Sequence, residues 1–284
     1  MSIILTTALF YLSYEAPRYV DEILHGLFPD VFLSPGVEQI EALRPFGYLV
    51  FLATVFLIVA GVVFKKYLAA AGGSFALYLP IFSYFAASMF LLAGLGVLRI
   101  VWMPLLDISP TVLKLGCVVY LPFSAIPSAD LVGFAISIVG IFIFSLGAAT
   151  WLYGKFTNRD IVDFWIYRYS RHPQYLGYIV WSYGVLIYIC YKPYIKGAFS
   201  TPPSLIWLAT TLILISTALL EERQMVKKYG DRYVQYCKKT PFLLPLPPPL
   251  KKINFTTRRV GAAATATLFA LIAVSYILQL TSFC

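Results

Sequence analysis

An all-α fold, a polytopic membrane helical bundle of about six spans, is what the sequence predicts, and three observations predict it. Apolar residues make up 60% of the 284 and charged ones only 12%, against roughly 45–50% and 25% in soluble domains. The excess is gathered in runs long enough for a hydrocarbon slab about 30 Å thick, which takes roughly 20 helical residues per crossing. Basic residues collect in alternate loops, as they do in chains that thread a bilayer.

Six runs qualify as spans: Gly47–Phe64, Phe75–Leu98, Leu131–Tyr153, Gln174–Tyr191, Ser204–Leu220 and Val260–Leu280. In lipid every backbone amide needs a partner within its own segment, so such runs are helices rather than isolated strands. Ile3–Leu12 is apolar but short, with no Lys or Arg before it and no small-residue cleavage site after it. It does not read as a signal peptide. Thr111–Phe123 contains Lys114, Gly116 and Pro122 and is too short to cross, so it reads as re-entrant or surface-lying. The organisation that follows is an N-terminal interfacial segment at 1–46, three spans at 47–153, a core at 154–259 and a last span at 260–284.

Net charge is +9, and sixteen of the 22 basic residues fall in the loops after the first, third and fifth spans. These loops share one face, which the charge bias makes cytoplasmic. Both termini then lie outside. Within the acid-rich N-terminal segment Val20, Ile23, Leu24, Leu27 and Phe28 follow helical spacing, as do Val37, Ile40 and Leu43. Short interfacial helices are expected there, forming a structural collar or a lid.

Cys117, Cys190, Cys237 and Cys284 are too widely spaced for a metal site, and two histidines, His25 and His172, are too few for a histidine-built one. No metal is expected. Cys117 and Cys284 fall on the same outer face, which leaves their pairing open. Cys190 reads as a helix-packing residue, Cys237 as an ordinary thiol and His25 as a solvated side chain of the collar. Gly94 and Gly96 read as a packing notch.

Two motifs carry the chemistry. The first, Tyr167–Gly184, runs from a polar loop into the fourth span through Arg171-His172-Pro173. Pro173 suits the first helical position, where its missing N–H costs nothing, so Arg171 and His172 stand beside a helix N-terminus that attracts anions. Gly177, Trp181 and Gly184 share a stripe with two notches for a neighbouring helix or a flat ligand. The second motif places Glu221 and Glu222 at the end of the fifth span. Paired acids there mark a wet or functional cavity. Gly230 is placed to end the helix and Asp231 to cap a new one carrying Tyr233 and Tyr236, so the chain folds back over the spans. The Pro-rich run Leu244–Leu250 stiffens the link to the sixth.

At Arg171 to Gly177, Glu221-Glu222 and Tyr229 to Pro241 the chain resembles the isoprenylcysteine carboxyl methyltransferase family of membrane enzymes and the related phospholipid N-methyltransferases. The resemblance covers roughly residues 161–245. It implies S-adenosylmethionine as cofactor, held in a pocket open to the cytosol, and a lipid or prenylated substrate arriving sideways from the bilayer. Carried over by position, His172, Tyr175, Gly177, Glu222, Tyr233 and Tyr236 are cofactor contacts, while Arg171 and Glu221 orient the acceptor. A multi-pass protein of the cell membrane in a prokaryote, or of the endoplasmic reticulum in a eukaryote, is implied as well. The bilayer is its partner, no nucleic acid is expected, and the oligomeric state is left open.

Two other readings stand beside this one. Membrane sterol reductases share a Glu-Glu-Arg, Lys-Tyr-Gly and Tyr-Cys pattern and bind NADPH, but have Asn where Gln174 stands. A transporter or scaffold would carry ionisable groups at mid-membrane, where these spans have hardly any.

Overall fold

A computed structural model describes residues 1–28, 35–84, 94–192, 202–244 and 257–281. Among them the fold is helical throughout, with no strand. In chain order the helices are α1 (Ser2–Tyr14), α2 (Ala16–His25), α3 (Pro35–Val63), α4 (Tyr67–Tyr78), α5 (Met103–Leu106), α6 (Ala129–Phe156), α7 (Pro173–Tyr191), α8 (Ser204–Tyr229), α9 (Asp231–Lys239) and α10 (Thr257–Leu280). Four are long and apolar enough to cross a membrane: α3 from Glu41, α6, α8 and α10 from Gly261. Their exposed surface is hydrocarbon, as at Leu52 and Phe56 of α3, Val139 and Phe142 of α6 and Phe269 of α10. A contiguous apolar face of that kind belongs against lipid.

The predicted second span, Phe75–Leu98, is not one helix. α4 passes into a 3-10 segment at Leu79–Tyr84, and the chain is next described in another, Gly94–Trp102. Hydropathy is satisfied over this run, but the backbone is not. Pro80 has no N–H to continue the ladder, and Gly94 sits at φ +51°, a value that glycine alone adopts without strain. The run Thr111–Phe123 is not one helix either. It is a chain of 3-10 turns at Val112–Lys114, Cys117–Val119 and Leu121–Ala125. The end of α10 docks on it, with Ser275 Oγ accepting from the Val118 N–H at 3.4 Å. Cys117 is disulfide-bonded, Cys190 and Cys237 are free thiols, and Cys284 lies outside the described residues.

The closest helix pair is α6 with α7. Gly133, Gly140 and Gly147 recur every seventh residue on α6, and Gly177 and Gly184 do so on α7. A Cβ at Gly140 would fall on the Trp181 backbone, one at Gly177 on the Phe144 backbone, and one at Gly184 on the Ser137 backbone. With little hydrophobic force between helices in lipid, such small-residue seams hold spans together by letting backbones approach. Both notches foreseen on α7 are thus filled by α6.

The N-terminal segment is more than a collar. α1 lies along α6, with Tyr14 hydrogen-bonded to Ser137 and its ring edge-on to Phe134. α2 packs on the segment Gly94–Trp102. There buried Asp21 accepts the Leu95 N–H at 2.6 Å, and His25 Nδ1 stands 3.2 Å from Asp21 Oδ2. His25, 31% exposed, is partly solvated and also tied to the bundle: the i, i+4 spacing sets it over Asp21, and Gly94 leaves room for its ring. Residues 37–43 form early turns of α3 rather than a separate helix.

The described parts of the three basic loops come to one end of the bundle. Tyr67, just after Lys65 and Lys66, reaches the Leu220 carbonyl at 3.5 Å, and Arg232 lies 3.4 Å from Asp160.

Gly140→Val and Gly184→Val are each expected to lower stability by about 1–3 kcal/mol or more through overpacking. Gly72→Ala, where an added Cβ meets nothing within 4 Å, is expected to be neutral or slightly stabilising. Thermal unfolding of the three variants in one detergent measures both.

Candidate active site

Two helix ends meet at the basic end. Pro173 is the first residue of α7 with His172 at its cap, as the spacing predicts, and the His172 N–H donates to Ser170 Oγ at 3.3 Å. α8 stops at Tyr229 because Gly230 takes φ +54° while its N–H bonds the Val226 carbonyl at 2.9 Å. A positive φ, which glycine adopts without steric cost, ends the helix and turns the chain. Gly230, not Asp231, occupies the cap of α9: Asp231 is already helical and makes no capping bond, serving only as a first-turn acid. Past α9 the Pro241 carbonyl accepts the Arg171 N–H at 3.0 Å. That bond fastens the fold-back to the loop preceding α7.

The side chains converge on two carboxylates. Glu222 is 4% exposed, and its Oε1 lies 3.0 Å from Arg171 Nε and 3.3 Å from His172 Nε2. Arg171 Nε is off the N–H direction, so this contact is an ion pair and not a hydrogen bond. Tyr175 donates to Glu221 Oε1 at 2.7 Å, and His172 Nδ1 is 3.8 Å from Glu221 Oε2. The imidazole therefore bridges the two acids. Phe242 stands edge-on to His172 at 5.2 Å between centroids and lies under the Arg171 guanidinium at 5.7 Å.

The aromatic wall is built by α9. Tyr233 is buried, its ring 5.7 Å from that of Tyr236, and Tyr236 donates to the Tyr167 carbonyl at 2.8 Å. Burial pushes the Tyr233 phenol up, reinforced by the Glu222 charge, and burial does the same to Tyr236 and Tyr167. All three are held as neutral phenols. Cys237 is hydrogen-bonded to Arg171 and Tyr233; burial raises its thiol pKa, with the Arg171 charge opposing.

Of the residues singled out from sequence, Arg171, His172, Tyr175, Glu221, Glu222, Tyr233 and Tyr236 come together here. Gly177 does not: it faces the α6 backbone in the glycine seam. The cluster also takes in Tyr167, Cys237 and Phe242. Tyr167 and Cys237 lie inside the two motifs; for Cys237, four residues after Tyr233 on α9, helical spacing is a usable signal, while Tyr167 belongs to the separate 3-10 turn Trp165–Arg168. Phe242 has none, since it arrives through the Arg171–Pro241 bond.

Fold and cluster define a polytopic helical membrane protein with a buried ionic site at its basic end. The chain belongs to the family described as "Protein of unknown function (DUF1295)", whose model matches residues 99–240, half of the chain. It is 33% identical over 93 residues to Protein-S-isoprenylcysteine O-methyltransferase of Schizosaccharomyces pombe, covering 32% of this chain and 36% of that protein. It is 34% identical over 83 residues to Methanethiol S-methyltransferase 1 of Bradyrhizobium diazoefficiens, covering 28% of this chain and 24% of the relative. The chain thus spans about a third or less of the length of these relatives. No solved structure gives a significant match.

Glu222→Gln leaves the Arg171 charge buried without its partner and is expected to destabilise the fold by about 3–5 kcal/mol, whereas Arg171→Met with Glu222→Leu recovers most of that loss. Chemical denaturation of the single and double variants tests the pair. Because its pKa is raised, Cys237 is expected to alkylate with maleimide only at pH above the ordinary thiol range. Arg171→Met, which removes the charge that lowers the pKa, shifts that profile further upward.

Proposed function

We propose that this chain is an integral membrane S-adenosylmethionine-dependent methyltransferase acting on a lipid-like or prenylated acceptor, with its site facing the cytoplasm. The observation that carries the reading is the charge and lining of the cluster. One guanidinium stands against two carboxylates, so among the fixed charges one negative charge is left over, next to the neutral ring faces of α9. A cationic ligand suits that balance, and a phosphate-rich dinucleotide does not. The methyltransferase names of both relatives support the same chemistry.

S-adenosylmethionine, when bound, supplies a methyl group activated on a sulfonium. Tyr233 and Tyr236 offer the ring faces that attract such a cation. Glu222, with one oxygen already shared by Arg171 and His172, and Glu221, whose side chain is 33% exposed, offer oxygens for an ammonium or for ribose hydroxyls. Arg171 and Glu221 orient the acceptor. Transfer is an in-line displacement in which charge disappears, so the protein gains rate by alignment and by excluding water. A carboxylate acceptor needs no base there. An amine acceptor does, and His172 or a Glu would be asked to take its proton.

Calorimetric titration of the purified protein is expected to show binding of S-adenosylhomocysteine and none of NADPH; the reverse result overturns the reading. Tyr175→Phe and His172→Ala are each expected to weaken S-adenosylhomocysteine by about tenfold or more, the worth of a hydrogen bond to a charged group. Unchanged affinity in both variants removes these residues from the site.

A further inference from the structure

The lipid-facing surface of α6 continues past the length that hydrocarbon needs. The helix runs 28 residues, about 42 Å at 1.5 Å per residue. That is close to the roughly 40–45 Å of a bilayer with its headgroup layers and well beyond the roughly 30 Å of its core. Its last turns therefore stand at headgroup level, where the exposed side chains change from Val139 and Phe142 to Trp151, Tyr153 and Phe156. Trp and Tyr favour that level because their rings are amphipathic.

The loop that follows folds back onto this end of the helix. Trp165 packs against Tyr153 with 5.2 Å between ring centroids and meets Phe164 at 5.3 Å, so the turn Trp165–Arg168 lies at the same depth. Its backbone is under strain: φ is +49°, a left-handed value that a bulky side chain resists. The indole is nonetheless 59% exposed. Strain of this kind persists only where the surroundings over-determine it, and two ring contacts secure only part of the indole. Phe156 and Tyr169 lie still more open in the same stretch. With them come three exposed cations: Arg159, Arg168 and Lys155, whose ammonium sits 5.5 Å over the Trp151 ring. Of the two acids in residues 151–169, Asp160 is engaged by Arg232 at 3.4 Å, and Asp163 alone opposes the three, so the surface is net positive.

We propose that residues 151–169 form a docking surface for anionic phospholipid in the leaflet at the basic end. The rings of Phe156, Trp165 and Tyr169 enter the boundary between headgroups and acyl chains, and Lys155, Arg159 and Arg168 face the phosphates. The occupant follows from two observations: the surface is continuous with the lipid face of α6, and its charge is opposite to that of an anionic leaflet. A loop that charge placement alone assigns to the cytosol is thus seated on the membrane. Since the Tyr167 carbonyl in the same turn accepts from Tyr236, that seating also fixes the height of α9. The surface stands independently of methyl transfer.

The test uses the full chain in nanodiscs of equal parts phosphatidylcholine and phosphatidylglycerol with matched acyl chains. The photoreactive p-benzoylphenylalanine replaces Trp165, Phe156 or, as a reference on the lipid face of α3, Leu52, and lipid adducts are counted by mass spectrometry. Adducts are expected at all three positions. At position 165 phosphatidylglycerol is expected to exceed phosphatidylcholine by about threefold or more, whereas position 52 takes the two alike. Lys155→Gln combined with Arg168→Gln is expected to bring the ratio at 165 down to that at 52 while the adducts persist. Adducts at 52 with none at 165 or 156 overturn the docking. Equal yields of the two lipids at 165, with Lys155 and Arg168 in place, overturn the anionic partner. No cofactor enters this experiment, so its failure and a failure of S-adenosylhomocysteine to bind are read separately.

Discussion

A single carboxylate oxygen fixes the geometry of the basic end. Glu222 Oε1 is shared by Arg171 and His172, and the group is almost wholly shielded from solvent. A carboxylate so placed cannot stay charged unless its partners are held at bonding distance, because the desolvation of an unpaired ion far exceeds any gain from packing. The loop before α7 and the end of α8 must therefore lie at the same depth. The fold-back must also close over them, since the Pro241 carbonyl holds the Arg171 backbone while Phe242 covers its guanidinium.

The glycine seam meets that demand from the other side. Lipid offers helices no hydrophobic reason to associate, so a span keeps its depth only through close backbone contact or polar bonds. With Gly177 and Gly184 locked into α6, α7 cannot slide along its axis without clashing. Its first turn, carrying His172 and Tyr175, is thereby presented at a fixed height to α8. The seam and the ionic cluster sit on different arcs of the same helix, so the first supplies the rigidity that the second requires.

Much of this arrangement was legible in the sequence because it rests on local rules. Pro173 at a helix start, Gly230 at a helix end and two acids closing an apolar run each carry their meaning within a few residues. The span Phe75–Leu98 misled because hydropathy sums side chains and ignores the backbone, whereas Pro80 and Gly94 act on the backbone alone. The link from His25 to the bundle was hidden for a different reason. Its spacing to Asp21 was visible, but the amide that Asp21 serves, at Leu95, lies far along the chain, and no local pattern announces a contact of that range. For Gly177 the sequence allows a neighbouring helix or a flat ligand and the resemblance implies a cofactor contact; the heptad spacing it shares with Gly184, repeated on α6, points to the helix.

The same helix also joins two environments with opposite demands. At its first turn Tyr175 donates to Glu221, in a cluster of two carboxylates, a guanidinium and an imidazole. Tyr178, three residues on and about 5 Å further along the axis, lines an apolar cavity. A molecule with a reactive polar head and an apolar body meets both on a single face of one helix. Since the spans themselves are nearly free of charge, only the end of such a molecule that reaches Tyr175 encounters ions, while the rest stays in surroundings like those of the bilayer. The contrast between the two regions would orient such a molecule before any specific contact is made.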